Sequence, residues 1–349
     1  MNFESNKGKI LTVNGLIDPE DLGFTLPHEH FYVDLRKNHP LPNDFTKEEL
    51  DYCNAKLDLS NLAYARAGYP LQDNYVLSPK EEDLIIQEVF EFKKRGGKSL
   101  VDPTSIGLGR NPLAIKKISD LTGLNIVLGC SWYQKVFHPE NLDQKNIEEL
   151  TDQILNEINC GIDNTGIKPG IIGEIGVNAK PLIENEIKVI KASAIASKVS
   201  GLSMLFHGPP YEEHNTVLDM VEDQGVDPSR VIFGHCDRLA EDIPKLISTL
   251  NRGVYVEFDC LGNDGSAKPW DMATIIVAKA IPELIDAGYV NRILISQDIC
   301  KKVHLKKFGG TGYSFILEEF IPFLQNIGIS NSDIIQITEN NPKDLLTII

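Results

Sequence analysis

The chain has 349 residues, 42% of them hydrophobic and 24% charged, an ordinary globular composition able to bury a large core. With 50 acidic side chains against 34 basic ones the formal net charge is −16, which argues against nucleic acid or an anionic membrane surface as partner. No run of 18 apolar residues implies a spanning helix and the N-terminus lacks a signal-peptide core; the six cysteines, spread singly without CxxC pairs, fit reduced thiols in a cytoplasmic protein.

Gly23–His30 reads as the first strand and ends in Pro27-His28-Glu29-His30. Side chains alternate along a strand, so His28 and His30 point to one spot and Glu29 to the opposite face. Two imidazoles aimed at one spot are half of a metal site, and Glu29 is expected not to be a ligand. A polar stretch over about residues 37–80 follows, with a helix expected over Thr46–Ala67; it reads as a long insertion after the first strand. Glu81–Arg95 has apolar residues at helical spacing, acids early and bases late, and Gly96-Gly97 ends it. Beyond it, strands are expected at Ser99–Asp102, Asn125–Cys130, Gly170–Glu174, Ser203–His207, Arg230–His235, Val254–Asp259 and Arg292–Asp298. The intervening helices are expected at Asn111–Thr122, Asn146–Gly161, Pro181–Val199, Tyr211–Glu222, Leu239–Asn251, Pro269–Ala287 and Gly312–Asn326.

Eight apolar strands, each followed by a helix, are the pattern of a (β/α)8 TIM barrel in a single domain over residues 1–349. A doubly wound sheet is the alternative, but no glycine-rich phosphate loop follows the first strand.

Active groups of such barrels sit at the C-terminal ends of the strands. Here those ends carry His28 and His30, Asp102, Cys130, Glu174, His207, His235, Asp259 and Asp298. Any one of them is ordinarily a satisfied structural hydrogen bond; four histidines, a glutamate and an aspartate on one rim are much harder to dismiss. Counting assigns His28, His30 and Asp298 to a buried first metal, since the first and eighth strands adjoin in a closed barrel. His207 and His235 fall to a second, and Glu174 is the only strand-four candidate to bridge them. Nitrogen and carboxylate donors favour Zn²⁺, with Mn²⁺, Co²⁺ or Fe²⁺ as alternatives set by availability. His39 and His214 are expected to be solvated, and His138 and His304 to lie in loops within reach of a substrate.

The chain resembles the phosphotriesterase family of the amidohydrolase superfamily. The residues that carry the likeness are Gly23–His30, Gly170–Gly176, Phe206-His207-Gly208, Gly234-His235-Cys236-Asp237, Ser296-Gln297-Asp298 and the tail Lys301–Tyr313. The resemblance implies a distorted barrel of amidohydrolase type with two divalent metals on the six ligands just named. It departs from members that bridge the metals with a carboxylated lysine: no lysine lies between Gly170 and Gly176, and Glu174 stands where the homology-protein branch has a bridging glutamate.

Within the family the tail looks like the branch that opens phosphorylated sugar lactones. That likeness implies Lys268 and Lys301 as anchors of a substrate phosphate, with Tyr133 and Arg238 as further substrate contacts. The expected activity is opening of a five-carbon sugar 1,4-lactone 5-phosphate by a metal-bridging hydroxide, with Asp298 as proton acceptor. The alternatives are another ester, lactone or amide hydrolase of the family, such as an organophosphate or acyl-lactone hydrolase, and a catalytically silent sugar-phosphate binding protein. Members are often dimeric, which leaves a homodimer as an open expectation.

Overall fold

A computed structural model describes residues 6–263 and 274–349. Eight short parallel strands form its centre: β1 (Thr25–Leu26), β2 (Ser99–Asp102), β3 (Asn125–Leu128), β4 (Ile172–Gly176), β5 (Met204–His207), β6 (Val231–Phe233), β7 (Tyr255–Phe258) and β8 (Ile293–Ile295). They form two arcs of continuous pairing, β1-β2-β3 and β4-β5-β6-β7-β8. At one join, Gly170 N–H donates to Leu128 O (2.9 Å), Gly173 N–H to Cys130 O (2.7 Å) and Gly176 N–H to Trp132 O (3.0 Å). At the other, Asp298 N–H donates to His28 O (3.2 Å) and His30 N–H to Ile299 O (3.3 Å). The result is a distorted (β/α)8 barrel whose ladder gives way to irregular bonding at β3/β4 and at β8/β1.

Both irregularities have local causes. Pro27 has no N–H for a ladder, so β1 stops at Leu26 although the sequence predicts a strand as far as His30. Across the other join the backbones are too close for side chains: a Cβ on Gly129 would meet the Gly173 carbonyl oxygen at 2.0 Å.

Inside the barrel, Val101, Val127, Leu205, Ile232 and Leu294 are wholly buried in one layer, closed beneath by Ile10, Leu22, Leu345 and Leu346. Ile10 belongs to a two-stranded antiparallel hairpin, Ile10–Thr12 with Gly15–Ile17, and the two leucines to a final helix, Asn341–Leu346. Neither element is expected from the sequence, where each is too short to show a period. Outside, helices pack apolar stripes on the strands. Glu82–Lys94 buries Ile85, Val89 and Phe92, each burial worth about 1.5–3 kcal/mol.

Two expected helices differ. The single helix over Thr46–Ala67 is two, Lys47–Cys53 and Leu62–Arg66. Between them Asn61 Oδ1 accepts from Asp58 N–H (2.9 Å), and Asn61 Nδ2 donates to Lys56 O (2.9 Å); these side-chain bonds replace helical ones. The helix expected from Gly312 begins as a π-helical turn, Ile316–Phe320, continuing into Ile321–Asn326, where Pro322 lacks an N–H for regular bonding.

The insertion is fastened to the loop after β8. Leu57, Ala65 and Leu71 form a small core with Val303 and Phe308. Beside it Lys302, buried, places Nζ 3.0 Å from Asp73 Oδ2 and 2.9 Å from Glu81 Oε1. Among the described residues no helix is long and apolar enough to cross a membrane, and none of the six cysteines is paired.

Candidate metal centre

The chain leaves β1 into His28-Glu29-His30 at the top of the barrel. His28 is wholly buried; its Nδ1 lies 2.8 Å from Asp259 Oδ2 and its Nε2 faces Glu174 Oε1 at 3.6 Å. His30 has Nδ1 2.7 Å from Thr104 Oγ1 and Nε2 3.2 Å from Asp298 Oδ1. Glu174, on β4, turns both oxygens into the centre, with Oε2 3.8 Å from His30 Nε2 and Oε1 3.4 Å from His235 Nε2. His207, closing β5, hydrogen-bonds Glu174 through Nδ1, and that nitrogen is 2.9 Å from His235 Nε2.

All six residues singled out in the sequence therefore come together. The potential donor atoms of His28, His30 and Asp298 lie within 4.8 Å of one another, as do those of Glu174, His207 and His235. His235 and Asp298 sit at φ 50° and 47°, left-handed backbone that costs a non-glycine residue of order 1 kcal/mol and clusters at functional sites.

Electrostatics shows what the centre wants. Burial alone would raise the Glu174 carboxyl, but the His207 and His28 imidazoles bring it well below the usual carboxylate range. Burial likewise opposes ionisation of Asp298, yet its bond to His30 takes it down to about 2. Burial disfavours charge on His235, and Asp259 overrides this to push it up to about 10. In His207 burial wins, taking it down to about 4. The carboxylates are thus ionised and hold protons on imidazoles as their counter-charge, a place a cation takes by displacing those protons.

The fit to a metal rests on one atom above all. His28 Nε2 is buried without a hydrogen-bond partner, although a buried imidazole nitrogen ordinarily finds one. Its Nδ1 is committed to Asp259, so Nε2 is the nitrogen turned to the centre and becomes a donor once a cation displaces its proton. His235 repeats this, with Nδ1 2.7 Å from Asp259 Oδ1. Imidazole and carboxylate donors, with second-sphere acceptors fixing the ring tautomers, are the donor set of a borderline divalent cation.

The remaining candidates lie around this centre. Tyr133, buried, has its hydroxyl 3.0 Å from His207 Nδ1, and burial keeps it a phenol. Arg238 is exposed on the turn after His235 and borders a cavity of about 240 Å³ shared with Asn178, Tyr211 and His235. Lys301 is near enough to His304 to add to the burial that takes that imidazole down to about 3. Lys268 lies outside the described residues.

Asp259 and Thr104 had no role assigned from sequence; Asp259's signal was an acid at the end of a strand. The expectation of a solvated His214 is corrected: it is 4% exposed, with Nδ1 2.9 Å from Thr249 Oγ1 and Nε2 3.1 Å from Pro209 O. His39 stacks on Tyr75 with ring centroids 3.6 Å apart. His138 Nε2 bonds the Tyr133 carbonyl at 2.8 Å, and His304 Nδ1 lies 3.2 Å from the Asp298 carbonyl oxygen.

The sequence profile of the phosphotriesterase family matches residues 8–346. An N-acetyltaurine hydrolase from Dictyostelium discoideum is 35% identical over 369 aligned residues, covering 98% of each chain. Among solved structures, a resiniferatoxin-binding protein from Rhodobacter sphaeroides superposes with a TM-score of 0.90 at 32% identity, over 97% of this chain and 95% of that one. The phosphotriesterase homology protein from Escherichia coli, solved with phosphate in its active site, superposes with a TM-score of 0.78 at 29% identity, over 95% of this chain and 100% of that one. Matched in this way almost from end to end, the chain belongs to the phosphotriesterase family.

Proposed function

We propose that this hydrolase is metal-dependent and cleaves the acyl bond of a small N-acylated anion, an N-acyl amino sulfonate such as N-acetyltaurine being the first candidate. The observation that carries the reading is Arg238 on the rim of a buried carboxylate–imidazole centre. Among the described residues no acid lies within ion-pair distance of its guanidinium, and it borders with His235 the cavity of about 240 Å³ beside the centre. Such a site suits a neutral carbonyl at the centre and an anionic tail outside it. The Dictyostelium relative's name supplies an electrophile and a tail of this kind.

In this reading His28, His30 and Asp298 would hold one divalent cation and His207 and His235 a second, with Glu174 between them and Zn²⁺ the first choice. Such cations, when bound, acidify water and polarise a carbonyl oxygen. Asp298 is the partly exposed carboxylate of the set, 17% exposed at its side chain; it takes the proton of the attacking water and returns it to the departing nitrogen. Tyr133 remains an O–H donor at neutral pH, and Arg238 orients the tail so that remote binding energy aligns the acyl group.

A phosphorylated five-carbon sugar lactone shares the carbonyl and the anionic tail, and the names of the relatives give it no support. The phosphate in the E. coli homology protein's active site keeps it as the second reading, with Lys268 and Lys301 as its anchors. The test is kcat/KM of the zinc-loaded protein for N-acetyltaurine, for a neutral N-acetyl amine of similar length, and for the lactone 5-phosphate. N-acetyltaurine is expected to lead. A preference for the lactone would replace the first reading by the second, and no turnover of any of them with two metals bound would favour a binding protein.

A further inference from the structure

We infer that Glu29, the middle residue between the two histidines, is a positioning residue that sets Asp298 opposite His30. Glu29 is wholly buried, and its own N–H is tied to β2 through Val101 O at 2.9 Å. Its carboxylate crosses the irregular β8/β1 join. Oε1 accepts from Gln297 N–H (2.8 Å) and Ser296 O–H (2.8 Å), and Oε2 from Ile299 N–H (2.9 Å).

Those three donors bracket Asp298 on both sides. Among the described residues no regular ladder runs between β8 and β1, so the main chain holds Asp298 across the join only through its N–H on His28 O at 3.2 Å. Its left-handed backbone, at φ 47°, persists only where the surroundings impose it. Gln297 and Ile299 are both 0% exposed, so without the Glu29 carboxyl oxygens their N–H groups on either side of Asp298 would be buried and unpaired, while Ser296 O–H would fall back on His28 O at 2.8 Å. The alternation that turns Glu29 away from the cation site is what aims it at the loop carrying a ligand from the far side of the join. Residues 28–30 thereby supply two ligands directly and fix the placement of a third.

The inference rests on reading His28, His30 and Asp298 as one cation's ligands, and zinc titration of the wild-type chain tests that first: fewer than two equivalents defeats the reading before any variant is made. With two equivalents established, Glu29→Gln keeps the size of the side chain but turns an amide NH2 toward a donor. Zinc competition with a chelator is expected to show one equivalent weakened about 10–100-fold, as for loss of other second-sphere partners, and the other within about threefold of wild type. In an Asp298→Asn background the same substitution is expected to add almost nothing, because the ligand it places is already altered. A purely structural Glu29 would instead lower the melting temperature and leave both affinities intact, or weaken both alike; either result overturns the inference, as does full additivity with Asp298→Asn. Should Glu29→Gln not fold, Glu29→Asp retains the carboxyl group but falls one methylene short of the three donors, and the same one-equivalent loss is required of it.

Discussion

Asp259 Oδ2 lies 2.8 Å from Nδ1 of His28. Its other oxygen lies 2.7 Å from Nδ1 of His235, and the same carboxylate receives the His235 backbone N–H. A carboxylate accepts, so both imidazoles carry their proton on Nδ1 and turn Nε2 inward. One side chain thus sets the tautomer of a histidine in each triad. Asp259→Asn is expected to weaken both metal equivalents about 10–100-fold, read by chelator competition; wild-type affinity for both would contradict the assignment.

Asp298 combines a candidate ligand position with partial exposure. Asp298→Asn keeps an oxygen donor but cannot accept a proton. Loaded with excess zinc, the variant is expected to retain two equivalents while kcat falls about 10²–10⁴-fold, the usual size of a general acid–base contribution. Metal analysis beside steady-state kinetics checks both halves, and full activity would remove Asp298 from the proton-transfer role.

Arg238 and Lys301 are the cations assigned to an anionic tail. Hydrogen bonds to charged groups contribute about 1.5–3 kcal/mol, so Arg238→Met is expected to raise KM for N-acetyltaurine about 10–100-fold. The kcat/KM for the neutral N-acetyl amine should stay near wild type. Lys301→Ala tests the lactone 5-phosphate in the same way against its unphosphorylated form; equal losses on charged and uncharged substrates would refute a tail-binding role for the residue substituted.

His214 supplies a pH prediction away from the metal centre. Burial takes its pKa from the ordinary 6.5 down to about 4. Between those values the unfolded chain binds a proton that the folded chain refuses, so stability is complete above about pH 6.5 and is lost as pH falls toward 4. The difference amounts to about 3 kcal/mol. Thermal melts from pH 7 to pH 4 are expected to show this limb in the wild type and a flatter one in His214→Gln; parallel curves would count against it.

The candidate ligands were legible in the sequence because strand ends of a (β/α)8 barrel share one rim: His207 closes a strand, His28, His30, His235 and Asp298 follow one, and Glu174 lies within β4. What could not be read were relations between strands. Nothing in the local pattern of Glu257-Phe258-Asp259 says that Asp259 serves two histidines from other strands, or that Glu29 reaches over to Ser296 and Ile299. His214 misled because a polar neighbourhood in sequence, Glu212-Glu213-His214-Asn215, is the start of a helix whose inner face the histidine occupies. The break at Asp58 and Asn61 was obscured by a composition that suits a helix, where two short side chains capture the backbone instead. The hairpin at Ile10 and the helix carrying Leu345 became visible only once the barrel supplied a bottom to plug.

The two arcs of the barrel divide the ligands unequally. His28 and His30 follow β1 on the three-strand arc, while Glu174, His207, His235 and Asp298 lie on the five-strand arc. Glu174, His207 and His235 sit together on the five-strand arc, but His28 and His30 meet Asp298 only across the β8/β1 join, one of the two places where the hoop is buckled rather than woven. A cation held by His28 and Asp298 together would therefore be a rivet as well as a reagent. On the proposed ligand set, activity would require the closed hoop, because the first cation's ligands meet only where the two arcs join.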